Sequence, residues 1–153
     1  MRPKSLSVAE IEFIAFRLAE KFMTWNEPIP DFGSRFPNIL ESCLNQPFIQ
    51  FSKKDLYRGI VGKASIMFYL MIKNHPFQNG NKRIAIMSLL YFLDKNGKWL
   101  DMSNEILYDF AKNIAKSKPK SREKIILYIQ EIIKTYLIDF PKEEVKIAKN
   151  LGE

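Results

Sequence analysis

The sequence is sparing with the residues that most often carry chemistry. Its 153 residues include one cysteine, Cys43, and one histidine, His75. With a single cysteine no internal disulfide can form, as expected of a reducing, cytoplasmic location. A lone thiol can act as a nucleophile. However, the only histidine stands in a different motif, so Cys43 is read as a buried structural residue. Long apolar runs are missing too. The longest, Ile84–Leu93, has about ten residues, against the roughly 20 that span a bilayer. The stretch MRPKSLSVAEIEF has neither a continuous apolar core nor a small-residue cleavage site, so no secretory signal is expected. No internal repeat or low-complexity tract is visible.

What the chain does have is apolar mass and positive charge. Hydrophobic residues make up 46% and charged ones 27%, and twelve phenylalanines with six tyrosines promise an aromatic core. The length suits one domain spanning residues 1–153. The formal charge of +7 favours anionic partners: nucleotide phosphates, nucleic acid or an acidic protein. Much of it lies in KNIAKSKPKSREK, where Lys112, Lys116, Lys118, Lys120, Arg122 and Lys124 flank a turn expected at Pro119. That cluster reads either as a nucleic-acid patch or as a solvated helix–loop–helix face. No aromatic residue interleaves it, so direct nucleic-acid binding is not expected.

The periodicity is helical almost throughout. Ser7 and Glu10 have capping-box spacing, and Ile11, Ile14, Ala15 and Leu18 carry a first helix to about Phe22. Pro28, Pro30, Gly33 and Pro37 mark residues 24–38 as loop. In NILESCLNQPFIQFSK the first half suits a short helix, while PFIQF alternates like a short strand or hairpin arm. Lys54 to Asn74 is expected as a helix with Leu56, Ile60, Ala64, Met67, Phe68 and Met71 on one stripe. The next helix runs from about Asn81 to Lys95 and is closed by Gly97. It is apolar nearly all round, so it should be the buried centre. Helices follow at about 103–116 and 121–138, and the tail 141–153 would form a short last one. The expected fold class is all-α: a single compact helical bundle with a buried central helix and a small β-hairpin.

Function concentrates in NHPFQNGNKRIAIMSLL, residues 74–90. Residues 75–80 join two expected helices and end at the N-terminus of the buried one. A helix N-terminus presents unpaired N–H groups and partial positive charge, which suit an anion. Gly80 lets the backbone approach that anion closely, and Asn81 can cap the helix. Lys82 and Arg83 add two cations in its first turn, one a movable point charge and one a planar fork. His75 stands at the other end of the loop. Imidazole, with an ordinary pKa of about 6.5, can accept a proton at neutral pH. A base beside a phosphate cradle suggests phosphoryl or nucleotidyl transfer. Phe77 is expected to anchor the loop in the core. Each of these residues alone reads as an ordinary cap or turn; the set within nine residues does not.

HPFQNGNKR, His75 to Arg83, resembles the signature of the Fic/Doc family, H-x-F-x-[D/E]-G-N-[G/K]-R. Lys82 at the eighth position resembles the Doc, or death-on-curing, toxin branch. So does the continuation IAIMSLLYFLDKNG, with Ile86 where many AMP-transferring members carry a further arginine. A weaker likeness extends over about residues 28–100. The resemblance implies a Fic-like helical fold with ATP as donor and His75 as general base on a hydroxyl of a target protein. It implies that Phe77 packs into the core, that Gly80 and Asn81 line an anion hole, and that Lys82 and Arg83 hold nucleotide phosphates. Asn79 stands where the family usually has Asp or Glu, a Mg²⁺ ligand. An amide oxygen coordinates Mg²⁺ without bringing charge, so metal binding through Asn79 is expected to be weak. The segment at about 38–48 would be a flap that docks the target's backbone by strand-like pairing, or else a core hairpin.

The resemblance also implies an activity. The Doc branch transfers a phosphate to a protein hydroxyl of serine or threonine, its target there being a translation elongation factor. The wider Fic group transfers AMP. The bulk and charge of Lys82 favour phosphate transfer, and Asn79 leaves a catalytically inactive binding module as the remaining alternative. Many members carry an inhibitory [S/T]-x-x-x-E-[G/N] helix. Ser7 to Glu10 and Thr24 to Glu27 are each one residue too short for it, so a separate antitoxin protein is the expected inhibitor.

Overall fold

The structure, a computed structural model, describes residues 2–22 and 28–140. It has six helices and two small antiparallel hairpins, and at 68% helix the all-α class holds. The first helix, α1, opens with the capping box. Ser7 Oγ accepts the Glu10 N–H at 3.1 Å, and Glu10 Oε1 accepts the Ser7 N–H at 2.9 Å. The helix runs as α over Val8–Glu10, widens to π geometry over Ile11–Phe16 and resumes as α over Arg17–Phe22.

Helix α2, Pro37–Asn45, continues into a 3-10 turn at Gln46–Phe48. The short helix expected in the first half of this stretch holds, and the strand-like pairing expected at about 38–48 does not form. Pro37 opens the helix with its φ already set. Leu40, Cys43 and Leu44 then recur at helical spacing and are all buried, whereas a strand would turn Leu40 and Cys43 to opposite faces. Burial pushes the Cys43 thiol up to about 12, which keeps it protonated and suits a structural role. The loop expected over 24–38 is also shorter than thought. Phe32–Ser34 form a 3-10 turn and Pro37 is already helical, while residues 24–27 lie outside the described residues.

The hairpin lies later in the chain. Strand β1, Gln50–Phe51, pairs with β2, Lys54–Asp55. The turn between them puts Ser52 and Lys53 at φ of 51° and 64°, the left-handed pair that matches strand twist. This hairpin delays helix α3, which spans Gly59–Lys73 rather than starting at Lys54. Leu56, assigned above to its apolar stripe, lies before the helix and is 57% exposed. Nor is α3 a one-sided helix: Gly62 through Ile72 are all buried. It pairs with α4, Asn81–Lys95, which is the buried helix expected. α1 packs on α4, α2 and the last helix on α3, and the helix between them on both. The two central helices thus have neighbours on every side.

Those last two helices are α5, Asn104–Lys116, and α6, Arg122–Tyr136. α6 stops earlier than the expected 138, because Leu137–Asp139 form strand β4 antiparallel to β3, Lys98–Leu100. Gly97, at φ 77°, turns the chain from α4 into β3. The helix expected in the tail lies outside the described residues.

A lysine is among the polar groups inside this packing. Lys63 of α3 is fully buried, with Nζ 2.9 Å from Asp55 Oδ2 and 2.5 Å from the Tyr57 carbonyl. Asp55 Oδ1 takes Arg2 at 3.0 Å and Gln50 at 3.1 Å. The Lys63 hydrogen bond, helped by Gln50, holds the Asp55 carboxyl down at about 2. Asp55 therefore ties the hairpin and the N-terminal segment to α3. No helix among the described residues is long and apolar enough to cross a membrane.

Candidate functional site

The loop of interest starts where α3 ends. Asn74 closes that helix, donating its N–H to the Leu70 carbonyl at 2.9 Å. His75 then takes φ 51°, a left-handed turn that reverses the chain and leaves its side chain exposed. Two residues on, Phe77 goes the other way and is 1% exposed. Its ring lies 5.7 Å from Phe16 and 5.8 Å from Phe32, and those two meet edge-on at 5.2 Å. α1, the 28–36 segment and the loop therefore share one aromatic anchor. The Phe36 N–H adds a hydrogen bond to the Pro76 carbonyl at 2.9 Å.

Asn81 does not cap its helix. Gly80 occupies the cap position at φ 73°, and Asn81 is the first helical residue. Its amide reaches back over the loop. Oδ1 accepts the Phe77 N–H at 3.0 Å, and Nδ2 donates to the Phe77 carbonyl at 2.8 Å. Those two bonds fix which edge of the amide faces His75: Nδ2 lies 3.4 Å from the imidazole Nδ1. Asn81 thus clasps the loop closed and abuts the His75 imidazole at once.

Gly80 has a reason beyond anion approach. A Cβ there would stand 3.0 Å from Ile29 Cγ1 and 3.1 Å from the Pro28 carbonyl, so the 28–29 segment packs where a side chain would be. No side chain among the described residues caps the N-terminus of α4. A helix N-terminus carries unpaired first-turn N–H groups and partial positive charge. Lys82 stands half-buried beside them. Arg83 is placed differently from the sequence expectation. It is 6% exposed, and its Nη2 donates to the Ala19 carbonyl at 2.6 Å, in the last turn of α1. At least one arm of its fork holds the fold together.

Asn79 is exposed, and its Oδ1 accepts the Gly80 N–H at 2.9 Å. The oxygen that would meet a metal is engaged by the backbone, and the loop 74–83 contains no carboxylate. Among the described residues no group of three or more His, Cys, Asp or Glu gathers as a metal site. This donor set does not build a protein-held Mg²⁺ site.

Sequence reasoning located the loop but missed what braces it: Ala19, Pro28, Ile29, Phe32 and Phe36. None carries a local signal, because each acts through a contact distant in sequence.

An exposed imidazole at the start of an anchored loop and a helix N-terminus with basic residues at its end thus lie within one stretch of nine residues, His75 to Arg83. The family model for the Fic/DOC family matches residues 6–93, from the start of α1 through most of α4, and the chain belongs to that family. No curated protein and no solved structure matches the chain. Fic/DOC domains are generally transferases, and the whole loop lies inside the matched region.

Proposed function

We propose that the chain is a toxin-like protein kinase of the Doc type, moving the terminal phosphate of a nucleoside triphosphate to a serine or threonine hydroxyl of another protein. The observation that carries this reading is the exposed His75, 3.4 Å from the Asn81 amide in the first turn of a helix whose N-terminus no side chain among the described residues caps. In the reaction the hydroxyl oxygen bonds to the γ-phosphorus and the bond to the departing diphosphate breaks. The hydroxyl proton goes to His75, which becomes imidazolium. The first turn of α4, Asn81 to Arg83, holds the phosphate charge through its N–H groups, with Lys82 beside it. Any divalent metal arrives as part of the donor, bound to the triphosphate.

Lys82 puts bulk and charge where a glycine would leave room for a differently placed nucleotide, which favours phosphate transfer over AMP transfer. An inactive binding module is the second reading. It draws on Asn79, whose oxygen is taken up by the Gly80 N–H. The test is a pair of labelling reactions in bacterial lysate with Mg²⁺, one with γ-labelled and one with α-labelled ATP, each with wild type and His75→Ala. A His75-dependent band carrying only the γ label is expected. An α-labelled band would make the activity nucleotide transfer. No band with either, from a protein that binds ATP, would leave the inactive module.

A further inference from the structure

The basic segment around Pro119 has a defined place in the fold. Lys73, two residues before His75, donates from Nζ to the carbonyls of Ala115 and Ser117, at 3.2 and 2.5 Å. One turn earlier in α3, the Tyr69 ring lies under the Arg122 guanidinium at 5.2 Å. The end of α5, the turn at Pro119 and the start of α6 are thereby fastened to the end of α3 from which the His75 loop emerges. Lys116, Lys118, Lys120 and Lys124 are exposed there. None makes an ion pair among the described residues, and Glu123 is the one acid between Lys112 and Lys124. Lys112 pairs with Asp109, and the five cations from Lys116 to Lys124 against Glu123 leave the segment a net charge of +4.

We propose that this lysine surface docks an acidic segment of the target protein that flanks the acceptor hydroxyl. The inference rests on the transfer reading above and narrows its substrate: a serine or threonine with several Asp or Glu close by in the target chain. Like charge so concentrated repels itself unless an anion covers it, and it steers anionic partners toward the adjoining site. A protein segment is favoured over nucleic acid because no aromatic residue falls between Lys112 and Lys124, and the rings stacked on its cations, Tyr69 under Arg122 and Tyr108 under Lys112, are buried and half-buried.

The test uses a labelled polyglutamate peptide with a central serine, and a uridine oligonucleotide of equal charge, at low salt. Binding is compared between wild type, the variant Lys116→Gln/Lys118→Gln/Lys120→Gln/Lys124→Gln, and a control of equal charge loss. The control is Lys4→Gln/Lys53→Gln/Lys54→Gln/Lys134→Gln, at exposed lysines around the hairpin and the chain's start. A second readout is the rate at which diethyl pyrocarbonate modifies His75, the chain's only histidine. The first variant should weaken peptide binding about tenfold or more and the control much less. Bound peptide should also slow His75 modification. Equal losses in both variants would overturn the proposal, and so would binding without protection of His75 or tighter binding of the oligonucleotide. None of these readouts needs turnover. If the peptide binds and protects while no His75-dependent label appears, the transfer reading fails and the docking surface stands.

Discussion

Replacing Asn81 tests whether one side chain holds the loop together. The amide is nearly buried, at 6% exposure, and makes two bonds to the buried Phe77 backbone, at 3.0 and 2.8 Å. In Asn81→Ala the Phe77 N–H and carbonyl both lose their partner, at about 1–3 kcal/mol for each buried group left unsatisfied. The long contact to His75 adds little. The expected loss is about 2–6 kcal/mol, a large part of the ~5–15 kcal/mol that holds a typical domain folded. For a chain of this size that lowers Tm by roughly 10 °C. Asn81→Asp separates the two bonds. Its carboxylate still accepts the Phe77 N–H and suits the first turn of a helix, but it gives the Phe77 carbonyl nothing. It should lose roughly half as much as alanine. Thermal melts and urea unfolding followed by circular dichroism read both variants. An alanine variant within about 0.5 kcal/mol of wild type, the usual range for inconsequential substitutions, would show that the clasp does not hold the loop. An aspartate as costly as alanine would put the weight on the Phe77 carbonyl alone.

Gly80→Ala and Gly97→Ala make a matched pair, since both glycines are left-handed, at φ 73° and 77°. Each should lose about 1–2 kcal/mol for the backbone conformation. Only Gly80 should lose more, because its Cβ meets Ile29 and Pro28 while that of Gly97 meets nothing within 4 Å; equal losses in urea unfolding would refute the packing argument. Arg83→Ala should destabilise the fold by about 1.5–3 kcal/mol, the worth of a hydrogen bond to a charged group. An unchanged Tm with weakened ATP binding would return Arg83 to the phosphates. Asp55 is held low, so it contributes stability that is present above its unfolded value and lost as pH falls from about 4 toward about 2. Asp55→Asn should therefore be less stable than wild type at neutral pH and approach it near pH 2. Parallel pH profiles down to pH 2 would contradict the Lys63 pairing.

The motif loop and its two helices were legible because their signals are local. Apolar residues recurring through α4, Gly97 after it, and the spacing of Ser7 and Glu10 each depend on neighbours within a turn or two. Errors came where two local patterns competed. PFIQF alternates like a strand, but Pro47 and Phe48 joined a 3-10 turn, and Gln50–Phe51 alone of it paired, with Lys54–Asp55. Leu56 fitted a helical stripe on paper, yet the hairpin's two-residue turn left it outside α3.

The sequence by itself determined the class of fold and the motif loop with its lone histidine, its glycine and its cations, since residue type and spacing decide those through short-range sterics and hydrogen bonding. Only tertiary structure decided what each does. It spent Arg83 on the Ala19 carbonyl, turned Asn81 from a helix cap into a clasp, and made Gly80 a packing necessity under Pro28 and Ile29. It also fastened residues 115–122 to the end of α3. These outcomes depend on contacts between segments tens of residues apart, where the free energy of burying one surface against another selects among local options that are nearly equal.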